Sequence, residues 1–122
     1  MKHVLFVGLG GAAGSMLRYF VSVVTAKHYT ASFPLATFIV NIAGCFIAGL
    51  IFGWISHETS EAESLKLLLI TGFCGGFTTF SAFALENVRL MNSGNMTTAV
   101  LYTLASVAVG LLAVWIGLII TR

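Results

Sequence analysis

Apolar residues fill this chain in four long runs separated by three short polar stretches, and the runs exceed what the core helices of a small globular domain need. A hydrocarbon slab of about 30 Å takes roughly 20 helical residues to cross. Four segments qualify: Val4 to about Ala26, Pro34 to Ser56, Leu65 to about Val88, and Thr97 to Ile120. Lys27-His28-Tyr29-Thr30 closes the first run. Pro34, the only proline, suits the first turn of the second, where its missing N–H has no partner in any helix. Ser56 to Ser64 (SHETSEAES) is the one acidic connection, and its Ser60 and Glu63 have capping-box spacing ahead of the third run. Met91 to Met96 (MNSGNM) forms the last turn. The pattern predicts an all-α membrane protein, one four-helix transmembrane domain over residues 1–122 without linker or low-complexity tract. The first run is too long for a cleaved signal peptide, and no small-residue cleavage site follows it.

Within the third run the pattern breaks down. Gly72 to Phe83 reads GFCGGFTTFSAF. Gly75 and Gly76 each lower helix propensity by about 1 kcal/mol relative to Ala, and Thr78, Thr79 and Ser81 carry hydroxyls to a depth where lipid offers no partner. Such a segment must be shielded by protein or line a polar cavity, and broken helices of this kind build ion or substrate sites from freed backbone groups. A transport protein is the reading this favours.

Composition removes the soluble alternative. With 58% hydrophobic and 8% charged residues, and a mean hydropathy of +1.01, the chain holds more apolar surface than a water-soluble core of its length can hide. Charge adds a second inference. With four spans the termini share one face, which holds Lys2, Lys66 and Arg122; the other holds Lys27 and Arg89, joined by Arg18 if it snorkels that way. Orientation follows a Lys/Arg excess on one side, and here there is almost none. Insertion in both orientations is expected, which allows an antiparallel homodimer in which each broken third span faces its inverted partner. A fixed orientation set by the translocation machinery or a partner is the alternative.

Small residues stand four apart at Gly10 and Gly14, Gly44 and Ala48, Gly49 and Gly53, and Gly72 and Gly76, a spacing that lets helix backbones approach closely in lipid. Gly8 to Ala13 imitates a dinucleotide fingerprint, but no acidic residue follows at the required distance, so helix packing explains it. Cys45 and Cys74 lie in predicted spans without CxxC spacing and read as inert thiols. His3, His28 and His57 fall near membrane ends or in loops. No catalytic triad, carboxylate pair or phosphate loop is present in the pattern, which argues against an enzyme and gives no nucleic-acid partner.

Polar residues at depth are then the functional candidates. Asn41, about two turns into the second span, can donate to an anion or clamp another helix, and both readings are open. Arg18 lies inside the end of the first span, where a central Arg costs about 3 kcal/mol, so it either faces a watery vestibule that draws anions or anchors the helix at the interface. Tyr102 and Ser106 stand one turn apart in line with Gly110, as a hydroxyl stripe beside a pore or as inter-helix hydrogen bonds.

These residues carry a family resemblance. GFCGGFTTFSAF, with Gly10-Gly11-x-x-Gly14-x-x-x-Arg18-Tyr19 and Val40-Asn41-x-x-Gly44-Cys45-Phe46, is similar to the Fluc-type fluoride channels over essentially the full chain. The resemblance implies a dual-topology antiparallel homodimer with two fluoride pores, passive conduction out of the cell across the inner membrane, and fluoride resistance. It assigns Phe80 and Phe83 to the pore wall, where positive ring edges meet the anion. Asn41 becomes a pore donor, and Ser81 and Thr79 hydroxyls beside that path. The backbone carbonyls of Gly75 and Thr78 are implied ligands of a structural sodium ion (Na+), Arg18 a vestibule cation, and Tyr102, Ser106 and Glu86 a polar track. Gly110 and Val114 depart from that track, where related chains continue the hydroxyls. Glu86 is an awkward neighbour for an anion, and pairing with Arg89, three residues on, is an equal alternative. Two rival classes remain. A small multidrug-type exporter carries an acidic residue in its first helix, which this chain lacks, and a non-transporting assembly subunit leaves the broken span unexplained.

Overall fold

The computed structural model of the chain describes residues 1–55 and 59–122, with only the backbone of Ser60. Ser56, His57 and Glu58 of the predicted acidic connection, and the Ser60 side chain of the predicted capping box, lie outside the described residues. The described chain is helical: α1 (Lys2–His28), α2 (Leu35–Trp54), α3 (Ser60–Lys66), a π-helical segment (Leu67–Cys74), α4 (Gly75–Phe77), α5 (Phe80–Asn92) and α6 (Met96–Thr121). Four spans are long and apolar enough to cross a membrane: Lys2–His28, Leu35–Trp54, Glu61–Asn92 and Met96–Thr121. All four predicted runs are therefore helices, and the third carries the predicted break.

Two details of the third span differ from expectation. Its helix begins at Ser60 rather than Leu65, and the N-cap is Thr59, whose Oγ1 accepts from the Ala62 N–H at 3.1 Å. Glu61 and Glu63 then sit in the first turn, where the helix dipole favours negative charge. The second difference concerns the break. Gly75 and Gly76 are helical, and the extended residues are Thr78 (φ −79°, ψ 158°) and Thr79 (φ −151°, ψ 118°). β-Branched threonines accept extended backbone readily, whereas Gly76 serves close packing against α1 and Gly75 is exposed.

That packing divides the bundle into two tight pairs. α1 lies along the π segment and α4, and α2 lies along α6. A Cβ on Gly10 would strike the Leu68 carbonyl, and one on Gly76 the Gly11 carbonyl, so only hydrogen fits at this crossing. In the second pair Gly49 meets the backbone of Val114, and Gly117 that of Phe46. The run from Gly8 to Ala13 is thus one stretch of α1, with Gly10 at the crossing and Gly8 in open space. Between α5 and α6 the chain turns at Gly94 (φ +82°), and the Asn95 N–H closes the helix on the Leu90 carbonyl at 2.8 Å.

Little of the apolar surface is covered within one chain. Leu90, Ala99 and fully buried Tyr102 form a small core cluster, with Phe33, Phe38 and Phe83 packed against it, and Val40 and Phe77 are buried besides. Leu9, Phe20, Leu104, Leu111 and Ile120 are more than 60% exposed, which suits lipid or a second copy and not water.

Candidate functional site

At the break, two donors freed from the helix find new acceptors. In a continuous helix the Thr79 N–H would reach the Gly75 carbonyl; it donates instead to Asn41 Oδ1 at 2.7 Å. Asn41 Nδ2 returns a bond to the Thr79 carbonyl at 3.1 Å, so one side-chain amide mimics a strand partner for an extended residue. Of the two readings open for Asn41, the geometry places its amide on the break, with one Nδ2 proton left over. The Ala82 N–H, which would serve the Thr78 carbonyl, is taken by Thr79 Oγ1 at 3.2 Å as the N-cap of α5. Thr79 Oγ1 also lies 3.3 Å from Ser81 Oγ.

These diversions release the carbonyls of Gly75 and Thr78, which accept no hydrogen bond among the described residues. Gly75 is exposed on the surface of the chain. The Gly76 carbonyl, by contrast, accepts from Arg18 Nε at 3.0 Å and from Ser15 Oγ at 3.4 Å. Arg18 therefore does not stretch to the membrane end: it reaches inward, stitching α1 to the break. Thr78 keeps its own hydroxyl on the Cys74 carbonyl at 2.8 Å and packs its methyl group onto Gly44.

A cleft of about 350 Å³ opens beside these bonds, lined by Ser15, Arg18, Tyr19, Ser22, Thr37, Val40, Thr79, Ala82 and Glu86. It brings together Arg18, Thr79 and Glu86 of the predicted residues, one cation and one carboxylate on a polar wall. Glu86 is not paired with Arg89. Its carboxylate accepts from the Thr37 hydroxyl at 2.6 Å and from the Tyr102 hydroxyl at 2.9 Å, because this face of α5 turns inward while Arg89 is exposed. Asn41 lies behind Thr79, and Tyr102 behind Glu86.

The aromatic candidates sit apart from the cleft. Phe80 is 78% exposed at the start of α5, although it stands in mid-span. Its ring centroid lies 5.6 Å from that of Phe83, which in turn lies 5.0 Å from that of Tyr102. Phe33 continues the series with an edge contact to Tyr102 at 5.3 Å. Ser106 Oγ is buried without a hydrogen-bond partner among the described residues. Gly110 and Val114 offer no hydroxyl; Gly110 faces Cys45 and Ile42 of α2. Cys45 and Cys74 are free thiols, and no group of three or more metal-binding His, Cys, Asp or Glu side chains forms among the described residues.

Sequence reasoning missed Ser15 and Thr37. A signal for both exists: Ser15, Arg18 and Ser22 recur three and four residues apart on α1, and Thr37 stands four before Asn41 on α2, polar stripes on otherwise apolar helices.

Four apolar helices, a third span opened at mid-depth and a polar cleft beside the opening define a multi-pass membrane protein with an intramembrane polar site. Comparison with known proteins specifies the family. Residues 5–118 match the model of the CrcB-like protein, Camphor Resistance (CrcB) family, and the chain belongs to it. A relative from Flavobacterium psychrophilum, named fluoride-specific ion channel FluC, is 48% identical over 122 residues, covering 100% of this chain and 98% of the relative. Relatives of the same name from Azobacteroides pseudotrichonymphae and Rhizobium leguminosarum are 46% and 43% identical, again over 100% of this chain and 98% of theirs.

Proposed function

We propose that this protein is a fluoride channel of the inner membrane, which lets cytoplasmic fluoride leak out down its gradient and so confers fluoride resistance. The observation that carries the reading is the break at Thr78 and Thr79, held open by Asn41 beside a cleft that contains Arg18, in a chain whose full-length relatives bear the fluoride-channel name. Fluoride is small and strongly hydrated, so a pore must replace its water with donors along the route while a narrow bore rejects chloride. The spare Asn41 proton, the Ser81 and Thr79 hydroxyls, and the positive ring edges of Phe80 and Phe83 are such donors.

In this reading the working unit is an antiparallel homodimer with two pores. Exposed Phe80 gains its surroundings from the inverted copy, and the charge count supports dual insertion. With Arg18 turned to the break, Lys2, Lys66 and Arg122 on one face stand against Lys27 and Arg89 on the other, a weak bias. The released carbonyls of Gly75 and Thr78 fit a hard cation at the dimer centre, since oxygen donors without hydrogen-bond partners in a membrane need one. Sodium bound there would neutralise these dipoles and tie the copies together. The chain's own part is to keep both carbonyls free by diverting the Thr79 and Ala82 N–H groups. Added sodium is then expected to raise the stability of the purified dimer, as any ligand specific to the folded state does.

Fluoride efflux from proteoliposomes, compared for wild type and Phe80→Ile under matched fluoride and chloride gradients, tests the function. Fast fluoride loss slowed by the substitution, with chloride retained, is expected. No efflux from verified wild-type dimers would sink the channel reading in favour of an assembly subunit.

A further inference from the structure

A polar pair beyond the site ties α5 to α6. Asn87, 6% exposed, donates from Nδ2 to the Phe83 carbonyl at 3.0 Å, and its Oδ1 accepts from the Thr103 hydroxyl at 3.1 Å. Asn87 follows Phe83 by one turn of α5, and Thr103 follows Tyr102, whose ring already touches that of Phe83. The same two turns are thus joined three times: ring on ring, Tyr102 hydroxyl on Glu86 carboxylate at 2.9 Å, and amide on hydroxyl.

A buried asparagine in mid-helix needs an account. It is a poor helix former, and burying its amide is costly unless the amide is paired, whereas leucine would fill similar volume without either cost. The pair adds to the Tyr102–Glu86 bond a second directional contact, made from the next residue of each helix. Tilted rings 5.0 Å apart slide and tilt at little cost, but a hydrogen bond constrains both length and direction. α5 has special need of this, because it hangs from two extended residues and has no continuous helix upstream to fix its rotation.

We propose that the Asn87–Thr103 pair, acting with the bonds to Glu86, sets the rotation of α5 about its axis, and with it the angle at which the Phe83 ring meets the ion route. Both are positioning residues acting through Phe83, and the second half of this claim rests on the channel reading above. The test places a fluorine label on the Phe83 ring in the intact dimer and records its NMR resonance beside fluoride efflux, for wild type, Thr103→Val and Thr103→Ser. Valine keeps the shape and removes the donor; serine restores it. Thr103→Val is expected to shift or split the Phe83 resonance and slow efflux about three- to tenfold, the effect of one inter-helix hydrogen bond in a membrane, with Thr103→Ser returning both to wild type. An unmoved resonance, unchanged efflux, or failure of serine to rescue would each overturn the proposal. Should Thr103→Val not assemble, Thr103→Ala removes the same hydroxyl with less bulk and is read the same way. If wild type conducts no fluoride, the channel reading fails by itself, and the resonance alone decides whether the pair sets the rotation.

Discussion

Before the break, residues 68–77 lie against α1 with backbone touching backbone; after it, α5 meets its neighbours through side-chain hydrogen bonds and rings. The first half is fixed by volume, since at Gly10 and Gly76 any side chain would collide with a carbonyl. The second half is fixed by polar latches: Asn41 at its start, and Thr37 and Tyr102 on Glu86 about two turns later. Steric contacts are all-or-none, whereas latches are individually modest and directional. A site that must orient donors around an ion benefits from the second kind of support, built on a scaffold of the first kind.

The largest effect expected from breaking this contrast is in the scaffold. Gly8 and Gly10 lie on the same helix two residues apart, the first open and the second against the Leu68 carbonyl and the Phe73 backbone nitrogen. Gly10→Ala forces the helices apart and should cost roughly 3 kcal/mol or more, the upper range for overpacking. Gly8→Ala should be neutral or stabilise by up to about 1 kcal/mol through helix propensity. Unfolding in mixed detergent, followed by the size of the assembled species, measures both. Equal behaviour of the two variants would mean that the α1 crossing is not as close as described.

Smaller but more specific is the loss of the break latch. Asn41→Leu leaves the Thr79 N–H unpaired, while the Thr79 carbonyl keeps the first intrahelical bond of α5, and should cost about 1–3 kcal/mol, less if water or a neighbouring group takes over. The scaffold pairs do not involve Asn41, so helix content should persist while fluoride efflux collapses. Circular dichroism beside efflux checks this. Wild-type flux in this variant would show that the break holds its shape without the amide, and would return Asn41 to simple packing.

How much of this arrangement was legible in the sequence follows the same division. The spans and their small-residue contacts were readable, because hydropathy and spacing of four residues are properties of the chain itself. The break was readable to within a turn: glycine and threonine both weaken a helix, and only the packing of α1 decides that Gly76 stays helical while Thr78 and Thr79 extend. The π-helical register of Leu67–Cys74 left no trace, since a shift of backbone pairing has no compositional signature. Among polar residues, Asn41, Arg18 and Glu86 stood out by chemistry, but their partners did not. Thr37 and Ser15 passed unnoticed because a hydroxyl in an apolar helix ordinarily satisfies itself on its own backbone. Thr121 and Ser22 do that, bonding the carbonyls of Gly117 and Arg18. Thr37 instead reaches Glu86, and nothing within α2 announces it.

Ser106 sharpens the comparison from its smallest end. It stands one turn after Tyr102 on α6, with a buried hydroxyl that has no hydrogen-bond partner among the described residues. A latch removed destabilises, but an unpaired buried hydroxyl contributes nothing to the fold and costs desolvation, so Ser106→Ala should leave dimer stability unchanged or raise it by about 1 kcal/mol. If the hydroxyl instead serves a passing ion, the same variant slows fluoride efflux. Stability and flux then move in opposite directions, which separates a residue of the route from every latch described above. Concerted loss of both would mean that Ser106 has a partner in the assembled dimer and belongs with the structural hydrogen bonds.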